Sequence, residues 1–267
     1  MAAIDDIRAG RQKKLRQLEE AGVVAYPATV ERTHEIASLL AQFDTLVADK
    51  TKVTALGRII ALRPQGGLIF LNFTDGTGAV QALLRAGDIA DEAISLFQEN
   101  IDIGDFVSLS GEVFITKRGE KTILVRAWNM IAKSLLPLPE KWHGLVDVEE
   151  RYRHRYLDLI ASSEVRARFT ARSAIIREIR DALHEHGYME VETPMLQSQA
   201  GGATALPFTT RYNALSTDFN LRIAPELFLK RLLVGGFPKV FEIGRNFRNE
   251  GIDTTHSPEF TMLEYYE

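Results

Sequence analysis

Phe241-Glu-Ile-Gly-Arg-Asn-Phe-Arg-Asn-Glu250, followed by His256-Ser-Pro-Glu-Phe-Thr261, sets a guanidinium, a carboxylate, a histidine and an aromatic ring on one predicted strand, loop and strand. The apolar pattern predicts the strands at Lys239–Arg245 and Glu259–Tyr266. Arg248 offers a planar fork of N–H donors that matches a phosphate or carboxylate bidentately, which lysine does not reproduce. A lone arginine at a strand end is more often structural, but an ordered string of chemically distinct neighbours reverses those odds and outlines a nucleotide site. Glu250 either accepts from an adenine amino group or holds Arg248, and His256 donates to a β- or γ-phosphate. Phe260, alone a core residue, becomes the platform for the base.

Immediately upstream, Arg222-Ile-Ala-Pro-Glu-Leu-Phe-Leu-Lys-Arg231 opens a helix near Pro225–Leu233. Pro225 lies in its first turn, so Glu226 projects near the positive end of the helix dipole, where a glutamate often does nothing more than stabilise the helix. Glu264, in Met262-Leu-Glu-Tyr-Tyr266, sits on an apolar strand. A buried carboxylate is costly unless paired, so it either wants a cation or points outward. Gly201-Gly202-Ala203 permits close backbone approach to a ligand or simply makes a turn. Helical patterns at Asp147–Leu159 and Ser163–His186, the second ended by Gly187, precede a short extended segment, Met189-Glu-Val-Glu-Thr-Pro-Met195. Residues 147–267 are therefore expected to form an α+β domain with an antiparallel sheet flanked by helices.

The first half has a different pattern. Short β-rich runs at Val53–Leu62, Leu68–Thr74, Ala79–Leu84, Phe106–Thr116 and Thr122–Ile131 are separated by glycine turns, with a helical stretch Ile89–Gln98 between the third and fourth. Five strands with one helix in that position predict an OB-fold barrel over residues 51–133, an architecture used for oligonucleotides. Residues 134–146, with Pro137 and Pro139, form a linker, because the prolines block helix and strand alike. Residues 1–50 form a helical extension. In it Ile4, Ile7, Leu15 and Leu18 recur at helical spacing among Arg8, Arg11, Lys13, Lys14 and Arg16, giving either a solvated charged face or an RNA-binding one.

Hydrophobic residues make up 45% and charged residues 25% of the chain, the ordinary globular balance. With no cysteine, disulfides and thiolate metal sites are excluded. The start Met1-Ala-Ala-Ile-Asp-Asp lacks the basic and apolar segments of a signal peptide, and no stretch approaches the ~18 apolar residues of a membrane span, so a cytoplasmic protein without membrane association is expected. A net charge of −4 leaves any nucleic-acid contact to local patches. Between Arg151 and Arg180, eight arginines face three acids (Asp158, Glu164, Glu178), marking an RNA-facing surface, a subunit interface or a solvated helix.

Phe-Arg-Asn-Glu250 with Pro-Glu-Phe-Thr261 resembles motif 2 of the class II aminoacyl-tRNA synthetases. Phe169–Leu196, ending Glu-Thr-Pro194, resembles their motif 1, which implies a homodimer with Pro194 at its interface. Ala-Pro-Glu226 resembles the lysyl members of subclass IIb, of bacterial type, rather than the aspartyl and asparaginyl members. The likeness runs on through Arg11, Tyr26-Pro27, Trp142-His-Gly144 and Arg151-Tyr-Arg-His-Arg-Tyr-Leu-Asp-Leu159 to the last residue.

The resemblance implies ATP and L-lysine as substrates and tRNA(Lys) as partner. It places ATP at Arg248, Glu250, His256 and Phe260, with Arg248 catalytic on the α-phosphate. It places lysine at Gly202, Glu226, Arg248, Glu264 and Tyr266, and an anticodon uridine at Arg63, Phe70 and Gln81 of the barrel, where an aromatic beside an amide can stack a base and read its edge. It also implies Mg²⁺, whose acidic ligands, like the glycine-rich motif 3, have no counterpart before Glu267. The expectation is thus an incomplete catalytic domain with motifs 1 and 2 only, poorly active or inactive alone. Ser257 departs from the family's usual asparagine. Three rivals stay open: a sister enzyme for aspartate or asparagine, disfavoured because Glu226 and Glu264 repel an acidic side chain; a non-catalytic RNA-binding remnant using the barrel; and a ligase of lysine to protein, whose known relatives lack the barrel.

Overall fold

A computed structural model describes residues 4–139 and 145–267. Two compact units divide at Met1–Ser162 and Ser163–Glu267. Trp142-His-Gly144, and the linker residues beside it from 140, lie outside the described residues.

The first unit runs α1 (Ile4–Glu20), α2 (Ile36–Ala41), α3 (Phe43–Ala48), β1 (Lys52–Gln65), β2 (Leu68–Thr74), β3 (Ala79–Arg85), α4 (Asp91–Asn100), β4 (Phe106–Ile115), β5 (Lys121–Ala132), α5 (Val148–Arg153) and α6 (Arg155–Ala161). β1 to β5 close into a barrel in the order β1-β2-β3-β5-β4, sealed by the parallel pairing of β3 with β5. All five expected strands are present with α4 between the third and fourth. Period-two alternation does the sorting: Ile69, Leu71 and Phe73 point inward from β2 while Phe70, Asn72 and Thr74 stay on the outer face. The inward set joins Leu18, Leu39, Phe43, Phe97, Leu109 and Ile123 in one core.

The charged helix α1 packs an apolar stripe on the barrel and commits part of its basic face, while Arg8, Lys13 and Arg16 stay exposed. Ile4 is exposed, whereas Leu15 and Leu18 pack on the barrel core. From the basic face, Arg11 donates to the carbonyls of Ser134 (2.8 Å), Leu136 and Ile103, and Lys14 pairs with Asp102 at 2.6 Å. Much of the arginine excess further on is likewise spent on pairing. Buried Asp158 accepts from both Arg151 and Arg155, Arg168 pairs with Glu164, and Arg180 with Glu190. The stretch expected as one helix over 147–159 breaks at His154, whose φ of −114° and ψ of 49° leave helical space, and α5 and α6 group with the first unit.

The second unit runs α7 (Ser163–Glu185), β6 (Met189–Glu190), β7 (Leu196–Gln197), β8 (Thr209–Tyr212), β9 (Thr217–Leu221), α8 (Glu226–Val234), β10 (Val240–Phe247) and β11 (Glu259–Tyr266). β10 and β11 are antiparallel as expected, while β6 joins β10 in parallel through Val240↔Met189. A second antiparallel sheet, β7-β9-β8, was not foreseen. Its strands are two to five residues long and largely polar, too short to carry a period.

Register in β10–β11 fixes the site. Glu242 lies opposite Glu264, Gly244 opposite Met262 and Asn246 opposite Phe260, so these residues share one face. On the other face Ile243, Thr261 and Leu263 line an apolar hollow with Ala171, Ile175 and Ile179 of α7. A slip of one residue would exchange the two sets.

Candidate active site

The polar face of β10–β11 is built around a buried ion pair. Arg222 is fully buried; its Nε donates to the Arg245 carbonyl (2.8 Å) and its Nη1 to the Thr193 carbonyl (3.2 Å), the Thr193 hydroxyl (3.1 Å) and Glu242. The other Glu242 oxygen accepts from the Thr193 hydroxyl at 2.6 Å. Two buried charges are tolerable here because each is paired and hydrogen-bonded.

Beside this pair the sequence-predicted amino-acid candidates come together. Pro225 caps α8 and Glu226 is its first residue, paired with Lys230. Gly202 has φ of +89°, and a Cβ there would stand 3.0 Å from Glu226 Cβ and 3.2 Å from Ala224 Cβ. The positive φ calls for glycine, and a Cβ there would crowd both neighbours. The Tyr266 hydroxyl donates to Glu264 at 3.1 Å. Burial pushes the Glu264 carboxyl above its ordinary range; Tyr266 opposes this, Glu226 and Glu242 reinforce it, and Arg222 opposes it. Burial and the neighbouring Glu264 push the Tyr266 hydroxyl up to about 12, so it remains a donor through the physiological range.

The nucleotide candidates form a second group. The Arg248 guanidinium lies 5.2 Å over the Phe260 ring, a cation–π contact, and its buried Nε has no hydrogen-bond partner. Glu250 accepts from the Leu206 N–H (3.3 Å), and Asn249 N–H donates to the Leu206 carbonyl (2.7 Å), which ties the loop to the segment after Gly202. Glu250 is thus bonded to backbone rather than to Arg248. His256 is 75% exposed, with Nδ1 2.8 Å from Asp253. Hydrogen bonds from the Thr255 N–H, then from His256, hold the Asp253 carboxyl well below the usual carboxylate range. Among the described residues no hydrogen bond or ring contact links His256 to Arg248 or Phe260. Pro194 is exposed, its carbonyl accepting from Gln197 at 3.1 Å.

Sequence reasoning missed Arg222, Glu242, Asn246 and Asp253 as site residues. The signal for Glu242 was present: a carboxylate between Phe241 and Ile243 faces the same burial cost that singled out Glu264. Asn246 is buried with neither amide atom bonded. Among the described residues no group of three acids or histidines is arranged to hold a metal ion. No helix among them is long and apolar enough to cross a membrane.

On the barrel, Arg63 lies opposite Phe70 across β1–β2, and Asn72 opposite Gln81 across β2–β3, so all four share the outer face. Arg63 donates to Asn72 at 2.8 Å, and Gln81 accepts from the Thr122 hydroxyl at 2.9 Å. The three expected residues form one patch, with Asn72 a fourth member.

The family of class II tRNA synthetases (D, K and N) matches residues 147–267, and the OB-fold nucleic acid binding domain matches residues 53–131. Residues 147–267 are thus the class II synthetase part of the chain and residues 53–131 its OB-fold part. It is 50% identical over 265 residues to the lysine–tRNA ligase of Chloroflexus aurantiacus, covering 99% of this chain and 54% of that protein. Against the lysine–tRNA ligase of Carboxydothermus hydrogenoformans it is 52% identical over 257 residues, 96% of this chain and 52% of the relative. The chain spans about half the length of the curated relatives it matches.

Proposed function

We propose that this chain carries the lysine- and ATP-recognition half of a lysine–tRNA ligase, and that its barrel holds the anticodon of tRNA(Lys). The observation that supports it best is the charge balance of one sheet face. Glu226 and Glu242 crowd Glu264, and the buried cation acting on it, Arg222, is already bonded to Glu242, while Arg248 stacks on Phe260. An ammonium group completes that balance; a carboxylate side chain worsens it.

In the reaction so assigned, a lysine carboxylate oxygen attacks the α-phosphorus of ATP, the bond to the bridging oxygen breaks, and pyrophosphate leaves with the electron pair. A ribose hydroxyl of the tRNA 3′ end then attacks the lysyl carbonyl and AMP leaves. Arg248 stabilises charge as it builds on the α-phosphate and meets the lysine carboxylate, while Phe260 carries adenine and Glu250 and His256 the rest of the nucleotide. Glu264, steadied by Tyr266, takes one ammonium group of lysine and Glu226 takes the other, with Gly202 leaving room beside them. Mg²⁺, the family's metal, supplies charge neutralisation on the phosphates when bound. A homodimer through the Pro194 segment and a cytoplasmic location follow from the family likeness.

The test is tRNA charging by a protein of the relatives' full length carrying this segment. Esterification of lysine, with aspartate and asparagine inert, is expected; charging with either of those overturns the assignment. For the barrel, Phe70→Ala removes a stacking contact of ~1–3 kcal/mol from binding of a U-rich anticodon stem-loop. Unchanged affinity in filter binding at fixed salt would rule out this patch.

A further inference from the structure

Arg222 has a role that its ion pair alone does not explain. Its guanidinium lies where a side chain at position 244 would stand, since a Cβ on Gly244 would overlap Nη2 and come within 3.1 Å of Glu242 Oε1. The charge is thus delivered onto the face shared by Glu242, Asn246 and, across the strand pair, Glu264. Nη2 itself is buried and has no hydrogen-bond partner, although the other nitrogens of the same group are bonded. A buried donor left unpaired asks for an explanation beyond fold stability.

The groups facing Glu264 are Tyr266 on its own strand, Glu242 on β10, Glu226 at the head of α8 with Lys230 beyond it, and Arg222. Lys230 is half exposed, pairs with Glu226 and lies 5.7 Å over the Tyr266 ring, whereas Arg222 is fully buried. Arg222 is therefore the buried cation that bonds Glu242 and opposes the rise at Glu264.

We propose that Arg222 is the positioning residue of this site: a guanidinium admitted by Gly244 and anchored by Glu242, Thr193 and the Arg245 carbonyl, which keeps Glu264 anionic for a substrate ammonium group. The ammonium clause rests on the lysine reading above; the charge relation between Arg222 and Glu264 does not. Because Arg222 acts through Glu264, its loss moves a titration and not only a melting temperature.

The experiment follows the Glu264 side-chain carboxyl carbon by NMR against pH in this chain, with Glu264 assigned through Glu264→Gln. Arg222→Gln is expected to raise the Glu264 midpoint by about one pH unit. Arg222→Lys, which loses the fork but keeps the charge, holds it within about half a unit of the unsubstituted chain. Should Arg222→Gln not fold, Gly244→Ala, which displaces the guanidinium without removing it, is expected to raise the midpoint by at least about half a unit. An unchanged midpoint in the folded neutral or displaced variant overturns the proposal, as does an equal shift in the lysine and glutamine variants. Added lysine at neutral pH is expected to move the Glu264 signal in the unsubstituted chain. If it does not, the lysine reading fails while the midpoints still decide the role of Arg222.

Discussion

Glu264→Gln, in a protein of the relatives' full length that carries this segment, is expected to lower kcat/KM for lysine by at least ~100-fold, about 2.7 kcal/mol. A site built to pair a charged group depends on that pairing, and the neutral amide leaves the substrate ammonium desolvated with half its compensation. The KM for ATP should barely move, because Arg248 and Phe260 form a group of their own. The same residue sets a pH dependence. Burial raises the Glu264 carboxyl above its ordinary range, so the anion, and with it lysine affinity, is complete above the raised midpoint and fades as pH falls through it. The glutamine variant loses that acid limb. Steady-state kinetics from weakly acidic to neutral pH check both effects; equal weakening of ATP and lysine would make Glu264 a structural residue.

Arg248→Ala is expected to cost about 10²–10³ in kcat, ~2.7–4 kcal/mol, the usual loss when a donor to a developing oxyanion is removed. Arg248→Lys should recover only part of this. A point charge lacks the fork that spans two phosphate oxygens, and it lacks the planar surface now 5.2 Å above Phe260. Single-turnover formation of the adenylate separates the chemical step from product release, and a lysine variant at the unsubstituted rate would remove Arg248 from the α-phosphate.

The barrel was legible because its signals are local: alternation in Leu68–Thr74 assigns each side chain to a face, and glycine turns separate the runs. The same holds for β11, whose bounds match the expected strand. What stayed hidden depends on contacts remote in sequence. Arg11 meets Ser134 and Leu136, Arg222 meets Thr193 and Glu242, and neither pairing leaves a periodic trace. Within the site, Arg248, Glu264 and Phe260 were readable as a string on one hairpin. Arg222, quoted only as the start of a helix segment, becomes visible once Gly244 is seen to yield its side-chain space.

The most direct measurement is amino-acid-dependent exchange of labelled pyrophosphate into ATP, with a protein of the relatives' full length carrying this segment and each of the twenty amino acids in turn. Exchange with lysine at least ~100-fold above aspartate and asparagine, abolished by Arg248→Ala and reduced by Glu264→Gln, is the predicted result. Exchange driven by an acidic or neutral amino acid, or lysine exchange indifferent to both substitutions, would contradict a site made from an ammonium-seeking carboxylate and a phosphate-gripping arginine.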